Sequence, residues 1–323
     1  MNDHPTEHVA LRFDATPRTV LVTGATGFIG RRLVDALLRD GHAVIVLTRS
    51  PGQAARSFGG RVRCIGAMPE LPADCPVDVV VNLAGARILG PRWNDKRKAA
   101  LRRSRIALTD SVVEWIAHAA HKPFLMLSGS AIGYYGIQAL GDATPLDEHA
   151  PPQPVFMSDL CREWEAAAYA AAQHGVQVEC MRFGLVLGRQ GALPMMLLPV
   201  RLGLGGRLGS GRQWLSWIHV DDVLGAMAHR WRQALSHPAP GGCSGATNFT
   251  APECVPQVEF SRTAARVWHR PSVLPTPGWP LRLALGEQAD LLLEGQRVVP
   301  ARLAREGYVF RHPGLEAALR SLK

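Results

Sequence analysis

TVLVTGATGFIGRRLVDALLRDGHAVIVL, residues 19 to 47, decides the fold. It reads as an apolar strand, a glycine-rich turn, an amphipathic helix ending near Gly41 and a second apolar strand, which together make a βαβ unit. Gly24, Gly27 and Gly30 form G-x-x-G-x-x-G at the strand-to-helix turn. Glycine there lets the backbone turn sharply and lets a pyrophosphate approach the helix N-terminus, where free N–H groups and the helix dipole attract anions. Gly24, Thr26, Gly27, Phe28, Ile29 and Gly30 are therefore expected to border a dinucleotide.

The second strand ends Leu47-Thr48-Arg49-Ser50. Dinucleotide folds commonly place an acidic residue at this point to hold the adenosine 2′-hydroxyl. A carboxylate would repel a 2′-phosphate, whereas the Arg49 guanidinium can pair with one and the Thr48 and Ser50 hydroxyls can add hydrogen bonds. The expected cofactor is NADP(H).

Further along, RVRCIGA (61–67) and VDVVVNLAG (77–85) read as strands three and four, and residues 95–119 as one long helix. PFLMLSGS (123–130) is a fifth strand, residues 158–173 a further helix and VQVECMRFG (176–184) a sixth strand. Apolar strands alternating with helices predict an α/β fold with a doubly wound parallel sheet. Asn82, Leu83, Ala84 and Gly85 leave the carboxyl end of strand four, where such sheets bind ligands. From about Thr247 a strand, NFTA, precedes helical stretches broken by proline.

The chain has 323 residues, 47% of them hydrophobic, enough for a large core. No apolar run approaches the roughly 18 residues that span a bilayer, and no secretory or transit signal is legible at the N-terminus. A cytoplasmic location and no membrane partner are expected. Six cysteines lie far apart with no zinc-type spacing, so no metal is expected. The net charge of +9 favours anionic ligands, but its densest run, KRKAALRRSR, spreads around a helix and reads as a solvated face, not a nucleic-acid site.

TGATGFIG, NLAG, SGSAIGYYG, MRFGLVLG and WIHVDDV stand in an order that resembles the extended short-chain dehydrogenase/reductase superfamily. The chain most resembles the atypical, NAD-dependent epimerase/dehydratase-like branch with a C-terminal domain of unknown function. Hallmarks of that branch are Arg92-Trp93, Ser104-Arg105, LGLGGRLGSGRQWLSWIHVDD (202–222) and GEQADLLLEGQRVVPARLAREGYVFRHPGLEAAL (286–319). The resemblance implies a Rossmann-type domain over residues 19–239 and a smaller C-terminal α/β lid region over 240–323, while residues 1–18, polar and without usable periodicity, read as a disordered extension. It implies that Ser128 and the loop after it face the cofactor and that Arg182, Phe183 and Gly184 lie near the nicotinamide. Residues 202–213 would form a substrate wall, and the aspartates of WIHVDD would cap the helix starting near Val223. It also implies a small-molecule substrate, a carbonyl or a sugar-like metabolite; it leaves the oligomeric state open.

The superfamily's tyrosine, which passes a proton to or from the substrate, and the lysine four residues later are missing. Four residues after Tyr134, Tyr135, Tyr169 and Tyr308 stand Gln138, Ala139, Gln173 and His312. With Glu165 marking the register, Met157 and Cys161 occupy the two places. Ser130, Tyr134 and Tyr135, leaving strand five, are the replacement donors expected by position. Two readings stay open: an NADP(H)-dependent oxidoreductase or epimerase-like enzyme, and a non-catalytic NADPH-binding regulatory or scaffold protein.

Overall fold

The computed structural model describes residues 11–239 and 243–323. β1 (Thr19–Thr23), α1 (Phe28–Arg39) and β2 (Ala43–Leu47) form the opening unit, followed by α2 (Pro51–Ser57), β3 (Arg63–Ile65) and β4 (Val79–Asn82). α3 (Asp95–Arg103) and α4 (Ile106–His118) lead to β5 (Leu125–Ala131), and α5 (Phe156–Tyr169) leads to β6 (Gln177–Phe183). Next come β7 (Leu185–Leu187), α6 (Leu193–Arg201), β8 (Trp214–Leu215), β9 (Trp217–His219), α7 (Val220–Ser236), β10 (Cys243–Phe249) and β11 (Val255–Pro256). α8 (Gln257–Trp268), α9 (Gly278–Leu285), α10 (Asp290–Leu293), α11 (Ala301–Arg305) and α12 (Leu315–Ser321) complete the chain.

The main sheet has seven strands in the order β10-β6-β5-β4-β1-β2-β3, every pair parallel. The order reverses between β1 and β4, and that switch point opens a crevice at the carboxyl edge. Side chains alternate across the sheet as the period of two requires. Val20, Val22, Val44, Val46, Val79 and Val81 enter one core layer with α1 and α7, while Leu21, Ile45, Leu47 and Val80 enter the other with α4. A third cluster joins α6, α8 and α12 around Trp217.

Four expectations change. The long helix expected over 95–119 is two helices, because Ser104 and Arg105 turn their side chains onto the backbone. The Ser104 hydroxyl donates to the Leu101 carbonyl and accepts from the Ala86 N–H, and Arg105 donates to Leu101 and Ala86 carbonyls. Residue 240 does not divide sheet from lid: β10 pairs with β6 over its whole length, so the seventh strand comes after that point. The extension expected over 1–18 is packed from Leu11 onward, with Phe13 only 1% exposed against the Trp231 and His42 rings; residues 1–10 lie outside the described residues. The helix after WIH starts at Val220 and is capped by the His219 ring, which accepts from the Asp221 N–H. Asp222 instead accepts from the N–H groups of Arg311 and His312 and from the Tyr308 hydroxyl, so its carboxylate holds the C-terminal segment. No helix among the described residues is long and apolar enough to cross a membrane.

Truncating Phe13 to alanine should lower the stability to urea by about 3 kcal/mol, as for other buried aromatic deletions. An unchanged unfolding midpoint would show that the segment is only tethered.

Candidate active site

The glycine-rich turn is held by contacts only glycine permits. Gly24 has φ +69°, and a Cβ there would lie 2.7 Å from the Leu83 carbonyl carbon; a Cβ on Gly30 would lie 2.2 Å from the Gly24 oxygen. The turn therefore sits against the loop leaving β4, with Thr26 and Gly27 exposed above it. α1 starts behind Gly27 with no side-chain cap and no acidic residue in its first turn, so its leading N–H groups and positive dipole end face the crevice. The Phe28 ring turns away to pack on Gly188 and Gly191, leaving Phe28 and Ile29 to present backbone.

Thr48 is half-buried and Arg49 and Ser50 are exposed where β2 ends. The Ser50 N–H donates to the Thr48 hydroxyl at 3.4 Å. No ion pair engages Arg49 among the described residues. On the other side of β1, Asn82 is fully buried: its amide donates to the Thr109 and Ser128 hydroxyls and its oxygen accepts from Thr23. The Thr23 hydroxyl then receives the Leu83 and Ala84 N–H groups. Asn82 and Ser128 thus shape the shelf from beneath, while Leu83, Ala84 and Gly85 form its surface.

The sequence-predicted donors divide sharply. Ser130 is 3% exposed and donates to Glu165 Oε1 at 2.6 Å. Glu165 is paired twice with Arg182, at 2.8 and 2.9 Å, both side chains about 5% exposed or less. Arg182 also donates to the Tyr135 hydroxyl at 3.0 Å, and that hydroxyl donates to Asn248 at 2.7 Å. Burial pushes the Tyr135 phenol up to about 12, with Arg182 and Asn248 opposing. Ser130, Tyr135 and Arg182 are therefore committed to one another. Phe183 packs edge-on against Phe249, and Gly184 fits where a Cβ would meet the Ser216 oxygen at 2.6 Å.

Tyr134 alone is half-buried with no hydrogen bond at its hydroxyl among the described residues; its ring lies 3.4 Å from the Arg182 guanidinium, fixed by a cation–π stack. Met157 and Cys161 do face this loop, against Gly133. Burial, helped by Glu165, pushes the Cys161 thiol up to about 12, which leaves it inert near neutral pH.

The far wall is clamped by buried amides that the sequence reading passed over. Gln288 accepts from the Gly90 N–H and donates to the Pro91 carbonyl; Gln213 donates to Leu208 and Leu292 carbonyls; Gln138 accepts from the Arg297 N–H. A buried glutamine in an otherwise polar stretch carries no periodic signal, so only the motif resemblance pointed at these segments.

A parallel sheet with an uncapped, glycine-lined helix start at its switch point defines a Rossmann-type dinucleotide fold. The chain belongs to the NAD dependent epimerase/dehydratase family, whose sequence model matches residues 20–241; a domain of unknown function, DUF1731, matches residues 276–322. It is similar to the epimerase family protein SDR39U1 homolog, chloroplastic, of Arabidopsis thaliana, at 41% identity over 94% of this chain and 86% of the relative. It is also similar to epimerase family protein YfhF of Bacillus subtilis, at 38% identity over 94% of this chain and 97% of the relative. Among solved structures, the human epimerase family protein SDR39U1 (isoform 2) with NADPH superposes with a TM-score of 0.81 at 35% identity, covering 94% of this chain and 98% of that one.

Replacing Glu165 with glutamine should destabilise the protein by about 3–5 kcal/mol, because Arg182 is left buried without its counter-charge. Since the native Tyr135 phenol titrates near 12 and the unfolded one near 10, its contribution is complete below pH 10 and is lost as pH rises towards 12. Urea unfolding across that range should show stability falling with pH in the wild type and a shallower fall in Tyr135→Phe.

Proposed function

We propose that this protein is an NADP(H)-dependent oxidoreductase or epimerase-like enzyme acting on a small carbonyl or sugar-like metabolite, with Tyr134 as its proton donor. One observation carries the cofactor reading: the strand beside the glycine-rich turn ends in an exposed Arg49, without an ion pair among the described residues and flanked by hydroxyls and no acid. The human relative solved with NADPH supports it. The first turn of α1, from Gly27 to Gly30, would hold the diphosphate by its N–H groups, Arg49, Thr48 and Ser50 the 2′-phosphate, and residues 83–85 the face of the shelf.

The bound dinucleotide supplies or accepts the hydride. The chain's own residues do the rest. Arg182 and Glu165 fix the Tyr134 ring while Ser130 and Tyr135, spent on the same pair, support it from behind. The Tyr134 hydroxyl then exchanges the proton at the substrate oxygen. Without a neighbouring lysine it serves better as an acid in reduction than as a base in oxidation. Gln288 holds Gly90 and Pro91, and Gln213 ties its own turn to Leu292, as walls that keep water from the crevice.

The two halves of the proposal separate experimentally. Wild type should bind NADPH ten- to a hundredfold more tightly than NADH, and Arg49→Ala should erase the preference; equal affinities in the wild type would refute it. In a screen of small aldehydes, ketones and nucleotide sugars, Tyr134→Phe should lower kcat by about a hundredfold or more while cofactor affinity stays intact. NADPH bound but never consumed by the wild type would favour a binding protein instead.

A further inference from the structure

His219, Asp221 and His312 bring two imidazoles and a carboxylate to one point, with one ligand atom of each within 4.8 Å of the others. None of the three belongs to the cofactor or donor set described above. His219 ends β9 and caps α7, Asp221 stands in the first turn of α7, and His312 arrives from the segment between α11 and α12. His219 Nδ1 lies 3.6 Å and His312 Nε2 4.0 Å from the same oxygen, Asp221 Oδ2, and the two rings stand 3.9 Å apart between centroids.

The hydrogen bonds around the cluster fix which atoms face inward. His219 Nδ1 accepts from the Asp221 N–H at 3.1 Å, so it holds the ring's lone pair and Nε2 carries the proton. Nε2 faces the Ser321 hydroxyl at 3.4 Å, which accepts there and donates its own proton to the Ala318 carbonyl. The second Asp221 oxygen, Oδ1, accepts from Arg32 of α1 at 3.2 Å. The far nitrogen of the imidazole and the far oxygen of the carboxylate are thus each oriented by a neighbour, the outer support that metal-bound histidines and carboxylates have.

Ligand atoms around a tetrahedral zinc ion lie about 3.3 Å apart, given metal–ligand bonds of about 2.0–2.1 Å. The cluster is a side-chain rotation away from that spacing, and the His312 side chain, 19% exposed, has solvent beside it in which to turn. Coordination at Nδ1 exchanges the neutral bond from the Asp221 N–H for a metal–nitrogen bond. The two carboxylates, Asp221 and Asp222, outweigh Arg32, so a cation meets net negative charge even at the positive end of α7. Asp221, 38% exposed, leaves a path for entry.

We propose that His219, Asp221 and His312 bind a divalent transition cation of the zinc type, which clips the C-terminal segment to the start of α7. Two imidazoles with one carboxylate suit zinc, whereas magnesium and calcium take oxygen ligands. The sequence shows no zinc-type spacing because the second histidine stands far along the chain from the first two ligands, and only the fold assembles the set. The site does not depend on the cofactor reading.

Calorimetric titration of the chelator-stripped full chain with zinc chloride tests it, in wild type, His312→Phe and Asp221→Asn, alongside the visible spectrum of the cobalt(II)-loaded proteins. Phenylalanine keeps a ring against His219, and asparagine keeps an oxygen for Arg32. Wild type should bind one zinc ion with a Kd of roughly micromolar or tighter and show tetrahedral cobalt absorption. Each variant should bind at least about a hundredfold more weakly, and zinc should raise the thermal unfolding midpoint of the wild type alone. A wild type that takes up no zinc overturns the proposal. So does equal zinc affinity in wild type and either folded variant, which would put the ion on other side chains. Should one variant fail to fold, the other decides. NADPH titration of the same proteins reports on the cofactor separately, so the two readings fail independently.

Discussion

Glu165 and Arg182 face each other inside the protein through two parallel hydrogen bonds, and the carboxyl edge of the sheet is arranged around that pair. Removing two charges from water costs several kcal/mol apiece, an expense offset only when geometry is good and the remaining donors and acceptors are also met. Here they are met: Ser130 completes the carboxylate, and Tyr135 and the Glu148 carbonyl complete the guanidinium. The pair thereby joins α5 to β6, and through Asn248 it reaches β10. Ser130 and Tyr135 are drawn into it, while Tyr134, whose hydroxyl has no hydrogen bond among the described residues, is held by its ring against the same guanidinium.

Most of the sheet was legible because it obeys a local rule. β1, α1 and β2 show their periods within thirty residues, and the glycine spacing is dictated by backbone contacts that no other residue allows. The break between α3 and α4 was not legible, since helix periodicity does not report a serine and an arginine that prefer backbone carbonyls over solvent. Phe13 lay hidden for a related reason: a single aromatic residue in a polar segment has no pattern, and its receptor, Trp231, lies more than two hundred residues away.

The site was half legible. Position alone placed Ser130, Tyr134 and Tyr135 together at the end of β5, and they are together. Position could not tell which hydroxyl was free, because that depends on Glu165 and Arg182. A signal did exist: a glutamate and an arginine in the middle of elements that otherwise read as buried must find each other.

The last strand of the sheet in chain order, β10, lies at the sheet's margin against β6, and Glu179 of β6 depends on what arrives with it. That carboxylate is met by Thr247 of β10, Arg230 of α7 and Arg302 of α11. During synthesis, then, β6 emerges with an unpaired row of backbone groups and an acid whose counter-charges are not yet made. An open edge of this kind invites pairing with another chain, and a buried acid awaiting its partners discourages premature closure. The order of the chain thus leaves one side of β6 without a partner until β10 has been made.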